Sequence, residues 1–177
     1  MTGILAFALV LAVAGGQAPA DTTEILSAYG ALTAGDEAPW LAGWTMSGRV
    51  WNLERAGADS SNRRTVLVFW ATWCAPCKEG LRRLAVADES LEATGVEVVL
   101  VNLDAREPAV AGYLQDNPTP FVCVLDPFMQ NTRRFFGLET GAGNSLILPR
   151  TVLLDRDRRI EAILGREGDD YLEILLR

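Results

Sequence analysis

Residues 65–80 read TVLVFWATWCAPCKEG. Thr65–Ala71 opens with a β-branched and aromatic run, the composition of a strand buried in a sheet. Two cysteines follow, Cys74 and Cys77, with Ala75-Pro76 between them and Trp73 in front. Beyond them Leu81, Leu84, Ala85 and Leu91 recur at helical spacing, which predicts a helix over Ala75–Ala93 ended by Gly95. A thiol pair in this place admits three readings: half of a metal site, a structural staple, or a reagent.

Composition bears on each. A chain of 177 residues fits one domain and is long enough to bury a core without staples. Hydrophobic residues at 49% and charged ones at 22% mark it as globular rather than disordered. A net charge of −7 argues against nucleic acid as a partner, since that needs a basic footprint. There is no histidine, which removes Cys/His nucleophilic pairs, Ser-His-Asp triads and imidazole metal sites. A zinc site needs four ligands, usually two such pairs; here there is one pair plus Cys123, so no metal is expected. A staple closing so short a loop would remove little chain entropy.

The N-terminus, MTGILAFALVLAVAGGQAPA (1–20), holds an apolar stretch from Ile4 to Ala14, then Gly15-Gly16 and Ala18-Pro19-Ala20. That pattern predicts a secretory signal with an A-x-A cleavage site and a mature chain beginning near Asp21. No Lys or Arg precedes the apolar run, and an uncleaved anchor or a misplaced start codon is the alternative. As a helix the run spans roughly 17 Å, short of a hydrocarbon core of roughly 30 Å, so a membrane span is the poorer reading. An exported chain would meet a compartment in which disulfides persist.

Residues 21–33 are expected to form a helical segment, with the helix over Thr23–Leu32, ahead of a domain spanning 34–177. GDEAPWLAGWTMSGRVWNL predicts an extended arm and a hairpin, turning at Ser47-Gly48 and returning through Arg49–Leu53. Ala56–Arg64 is a polar loop. After the thiol-bearing helix come a buried strand at Val96–Asp104 and a helix at Pro108–Asp116 with proline in its first turn. A strand at Phe121–Asp126 follows, then a short helix at Pro127–Phe136 closed by Gly137. LPRTVLLDRDRRIEAILG reads as two strands about a turn at Arg156–Arg158, with a last helix at Asp169–Leu176. The order βαβ, then β, β and α, calls for a central sheet with helices on both faces.

Taken in order, GDEAPW before a hairpin, TVLVFWATWCAPCK, VEVVLVNLD, PFVCVLDP and LPRTVLLDRDRRI resemble the thioredoxin fold. Within it they resemble the periplasmic thiol-disulfide oxidoreductases of the TlpA, ResA and CcmG/DsbE type, over residues 34–176. The fold class expected is therefore α/β: a thioredoxin-like three-layer fold, a central mixed β-sheet flanked by helices, with an N-terminal β-hairpin extension.

Beside that likeness stands the chemistry of the residues. A strand-turn-helix context puts Cys74 at the first turn of a helix, where unpaired N–H groups and the positive dipole end stabilise a thiolate. This lowers the pKa and makes Cys74 the attacking sulfur, presented to solvent. Cys77 lies one turn later on the same face, within disulfide reach, as the resolving thiol. Pro76 suits an early helical position. The expected reaction is thiol-disulfide exchange with no cofactor beyond the redox-active Cys74–Cys77 disulfide.

The resemblance further implies a cis Leu148–Pro149 bond opposite the thiols, exposing backbone that pairs with the substrate segment. It makes Trp73, Pro76, Leu148, Pro149 and Arg150 the expected substrate-contacting residues. Trp70, Trp40, Trp44 and Trp51 are expected in the core, and Cys123, within FVCVL, as a buried small hydrophobe. The chain departs from its relatives in several respects, among them a longer loop, GLETGAGNSLI, before Leu148-Pro149. Gly80 stands where many carry a Glu three residues after the second cysteine. Val68 stands where thioredoxin has a buried Asp. Leu148 stands where smaller residues are common. No general acid or base for Cys77 is thereby identified, which leaves that proton to water.

The function expected is an exported dithiol reductase acting on disulfides of other exported proteins, cytochrome c maturation being one setting, re-reduced by a membrane thiol-disulfide carrier. It would be periplasmic or otherwise extracytoplasmic, soluble after signal cleavage or anchored to the membrane. The alternatives are a disulfide-forming oxidase, against which Ala75-Pro76 supplies no histidine between the thiols, and a copper(I)-binding module of the same fold.

Overall fold

The computed structural model describes residues 32–56, 64–137, 146–165 and 171–177. The expected signal, nearly all of the helix at 23–32 and most of the loop before Leu148 lie outside them. Among the described residues no helix is long and apolar enough to cross a membrane.

In chain order the elements are β1 (Ala42–Trp44), β2 (Val50–Asn52), α1 (Leu53–Ala56), β3 (Arg64–Trp70), α2 (Ala75–Val86) and α3 (Asp88–Ala93). Then come β4 (Val96–Asn102), α4 (Glu107–Asp116), β5 (Val122–Leu125), α5 (Gln130–Phe136), β6 (Arg150–Asp155), β7 (Ile160–Leu164) and α6 (Tyr171–Leu176). Five strands form one sheet in the order β5-β4-β3-β6-β7. The β3–β4 and β4–β5 pairings are parallel and the β3–β6 and β6–β7 pairings antiparallel, so the sheet is mixed.

Strand β3 is central because its side chains are apolar in both directions, as a strand covered on two faces requires. Val66, Val68 and Trp70 join Cys77, Leu81, Leu84, Leu91, Val110 and Tyr171 in one core. Leu67 and Phe69 join Leu41, Leu53, Phe135 and Phe136 in the other, where the Phe69 ring lies 5.2 Å from Phe135 and 5.4 Å from Phe136. Helices α2, α3, α4 and α6 thus contribute to one face, and α1 and α5 to the other. The three-layer arrangement and the N-terminal hairpin are those the resemblance implied.

The hairpin β1–β2 docks on the outer edge of β5. Thr45 bridges Val124 and the Met46 N–H donates to the Cys123 carbonyl at 3.0 Å. The Asn131 amide clasps Ala42 from both sides, accepting its N–H at 3.3 Å and donating to its carbonyl at 3.0 Å. An unpaired sheet edge is thereby covered. Gly43 makes the approach possible, since a Cβ there would sit 2.7 Å from Val124 Cγ1 and 2.9 Å from the Leu125 carbonyl oxygen.

Four local expectations are corrected. The helix predicted over Ala75–Ala93 breaks at Ala87, whose N–H is shared between the Arg83 and Leu84 carbonyls. Leu84 and Leu91 stay in phase on either side, so periodicity alone does not reveal the break. Asp88 and Glu89 favour a new N-terminus there. Leu53 opens a short helix instead of closing the hairpin strand. The helix predicted from Pro127 begins at Gln130, after Met129 in a left-handed conformation. Trp40 and Trp44, expected in the core, are 56% and 63% exposed. Trp44 faces outward opposite Val50, because Gly43 takes the inward position against β5.

Candidate functional site

Strand β3 ends at Trp70, and Ala71–Trp73 turns the chain into α2. The turn is held by the Cys74 N–H donating to the Ala71 carbonyl at 3.0 Å. Cys74 is the N-cap of α2, and its sulfur accepts the Cys77 N–H at 3.3 Å. It stands one position ahead of the first turn expected for it, in the place where a side chain satisfies the helix's unpaired N–H groups. The two cysteines form a disulfide with their Cα atoms 5.3 Å apart. In this oxidised form Cys77 is wholly enclosed and Cys74 is 5% exposed. Cys74 is less open than expected, but of the two sulfurs it is on the side that a partner can reach.

Behind the turn lies a polar group not singled out from the sequence. The Asp104 carboxylate accepts the Thr72 N–H at 2.7 Å, the Thr72 hydroxyl at 2.6 Å and the Asn102 amide at 2.9 Å. Asn102 in turn accepts the Asp104 N–H at 3.0 Å. The available signal was the pair of polar residues closing the run VEVVLVNLD, where a fully buried strand end has no ordinary use for them.

In front of α2 an open groove of about 430 Å³ is lined by Pro76, Glu79, Arg83, Ile147, Leu148, Pro149 and Gly165. The Leu148–Pro149 bond is cis. Pro76, Leu148 and Pro149 are therefore brought together on the two walls of one groove beside the disulfide. Trp73, which precedes Cys74 in the chain, is 65% exposed. Glu79, the nearest acid in sequence to the thiols, is exposed and pairs with Arg82 at 2.5 Å.

Arg150, expected beside these residues, is not among those that line the groove. Strand alternation after Pro149 turns it to the opposite face, where it is opposite Phe69 in register. Its Nη1 donates to the Phe135 carbonyl at 3.1 Å and its guanidinium lies 4.3 Å over the Phe136 ring. Burial lowers its pKa. Thr151, next in line, takes the disulfide side and bonds the Tyr171 hydroxyl at 3.1 Å. Arg150 thus ties β6 to α5.

Cys123 is buried on β5 as expected. Desolvation pushes its thiol up to about 12, and the Asp104 charge adds to the rise. The Trp70 indole N–H opposes it from close by, without meeting hydrogen-bond geometry to any partner.

The Redoxin family matches residues 33–167. The thiol-disulfide oxidoreductase ResA of Bacillus cereus is 26% identical over 140 residues, covering 78% of this chain and 74% of the relative. A Chlorobium tepidum crystal structure, assigned as a thiol:disulfide interchange protein DsbE, superposes with a TM-score of 0.69 at 29% identity, covering 82% of this chain and 96% of that one. A secreted thiol-disulfide isomerase from Corynebacterium glutamicum superposes with a TM-score of 0.65 at 26% identity, covering 80% and 85%.

Proposed function

From the premise that the chain belongs to the Redoxin family and is a thiol-disulfide oxidoreductase with a Cys74–Cys77 pair, we propose that it is exported and reduces disulfides in other exported proteins. The observation that carries this reading is the asymmetry of the pair. Cys74 caps α2 beside a groove walled by Pro76 and Pro149, while Cys77 is sealed behind it.

In the reduced protein the Cys74 thiolate attacks one sulfur of a client disulfide. A Cys74–client bond forms and the other client sulfur leaves as a thiolate. Cys77, deprotonated, then attacks the Cys74 sulfur and expels the second client thiolate. Two electrons pass from the enzyme to the client, both client sulfurs leave as thiolates that exchange protons with solvent, and the Cys74–Cys77 bond is the product. No group beyond the two sulfurs is needed. Water takes the Cys77 proton, since Gly80 offers no carboxylate.

The groove walls serve an extended client segment, with Leu148 and Pro149 offering backbone and apolar surface and Pro76 facing them. Trp73 flanks the attacking sulfur. A membrane thiol-disulfide carrier restores the dithiol, and maturation of c-type cytochromes is the setting in which clients of this kind arise. The apolar run at Ile4–Ala14 supports export.

Equilibration with glutathione buffers tests the direction of electron flow. A potential toward thioredoxin's, about −270 mV, supports the reductase; one near about −120 mV, as in DsbA, reverses it. Fractionation of the cells that make the protein, with the N-terminal residue of the recovered chain sequenced, tests export.

A further inference from the structure

Two acids are buried among the described residues, Asp104 and Asp126. Asp126 has an evident duty in the fold. It holds the start of α5, accepting the Thr132 N–H at 2.8 Å and the Thr132 hydroxyl at 2.7 Å. Asp104 holds no helix. It is 8% exposed, yet its carboxylate closes on the turn that leads into Cys74.

We infer that Asp104 is the positioning residue for Cys74: by pinning Thr72 to the end of β4, it fixes where the attacking sulfur sits relative to the N-terminus of α2. The inference rests on the redox reading above. A buried carboxylate is costly unless its lone pairs are filled, and here none of the hydrogen-bonding partners is a cation. Thr72 fills both oxygens, with its N–H on Oδ2 and its hydroxyl on Oδ1, and Asn102 holds the carboxylate from behind. Thr72 is the middle residue of the turn between the last residue of β3 and the N-cap. Leu103 N–H to the Trp70 carbonyl, 3.0 Å, ties the same two strand ends together just before that turn. The turn is therefore tied to the end of β4 at its start and at its middle residue.

The charge itself is not what serves Cys74. A negative group near a thiol disfavours the thiolate, the reverse of what attack requires. What the carboxylate supplies is two acceptors in one rigid group. A turn released from them would let the Cys74 sulfur drift from the α2 N–H groups, of which the Cys77 N–H lies at 3.3 Å.

The test is alkylation of the reduced full chain by iodoacetamide across a pH range, with the rate mapped to residue 74 by mass spectrometry. Thr72→Val, which deletes the hydroxyl that donates to Asp104 Oδ1 and keeps the backbone N–H, should raise the apparent Cys74 pKa and slow alkylation at pH 7 by roughly threefold to tenfold, the net worth of one hydrogen bond. Thr72→Ser should restore it. Asp104→Asn keeps an oxygen for the Thr72 N–H and lets the hydroxyl turn to accept, so it should lie closer to wild type than Asp104→Ala. Equal effects of Asp104→Asn and Asp104→Ala would make charge the cause and overturn the inference. So would a Thr72→Val protein that melts lower but alkylates as wild type does, the mark of a merely structural bond. Thr72→Val carries the test if Asp104→Ala does not fold. Alkylation needs no client, so a failed glutathione equilibrium would sink the redox reading while leaving this result legible.

Discussion

The Cys77 backbone N–H donates to the Cys74 sulfur at 3.3 Å while the Cys77 side chain is wholly enclosed by the core. One residue thus supplies a donor that favours charge on its neighbour and a sulfur that no outside molecule can reach. The roles of the two thiols differ for that reason, not because of their own chemistry.

Substitution should separate them. Cys77→Ala leaves Cys74 able to attack and removes the group that releases the client, so mixed disulfides should accumulate with the variant and turnover should be abolished. Cys74→Ala should trap nothing. Non-reducing gels of the two variants after exposure to a disulfide-bearing protein decide the matter; equal trapping by both would contradict the asymmetry.

Arg150 follows the proline that lines the groove, yet it serves the other face of the sheet. Arg150→Met should destabilise the fold by about 1–3 kcal/mol, through loss of the ring contact and a charge-assisted bond to the Phe135 carbonyl. Its reduction potential and its trapping behaviour should match those of the parent. Denaturant melts alongside a glutathione equilibrium measure both, and a shifted potential at unchanged stability would return Arg150 to the site.

Apart from element boundaries, what the sequence left open was direction: a residue's type was legible and the way it faces was not. The run Thr65–Trp70 is apolar in both directions, so it marks a central strand whatever the register. Cys74 and Cys77 carry their own spacing, and a helix that opens just after Cys74 brings the two sulfurs together. Trp40 and Trp44 look as apolar as Trp70, and only the close approach of Gly43 to β5 decides which way β1 faces. Arg150 reads as a neighbour of Pro149 until strand alternation turns it away. Asp104 and Thr72 lie far apart in the chain, and nothing local to either discloses that they meet.

Gly43 therefore bears directly on how the hairpin is held. Gly43→Ala would set a methyl 2.7 Å from a Val124 methyl and 2.9 Å from a backbone carbonyl that has little room to yield. The hairpin should lift from β5, at a cost of about 1–3 kcal/mol for overpacking. Amide exchange should rise at Met46, whose N–H bonds the Cys123 carbonyl. The disulfide lies elsewhere on the sheet, so its potential should hold. A variant as stable as the parent would mean that β1 can shift away from Val124 without loss, and the close-approach reading of Gly43 would fall.

Cys123 offers a check by pH. Its thiol is pushed from an ordinary value of 9.0 up to about 12, chiefly by desolvation. In the unfolded chain the same thiol ionises near 9, so above that pH the unfolded state binds fewer protons than the native state and gains stability relative to it. The stability that comes from keeping Cys123 neutral is fully present below pH 9 and is lost progressively between pH 9 and about 12. Cys123→Ala should remove that alkaline loss while costing about 1 kcal/mol or somewhat more at neutral pH, for a sulfur deleted from a packed site. Denaturant melts of the two proteins at pH 7 and pH 10 give the comparison, and the gap between them should narrow at the higher pH. In the native protein at pH 8 a thiol reagent should leave Cys123 untouched, and denaturant should expose it. Rapid native labelling at residue 123 would show that β5 opens, and the proposed burial of that thiol would have to be given up.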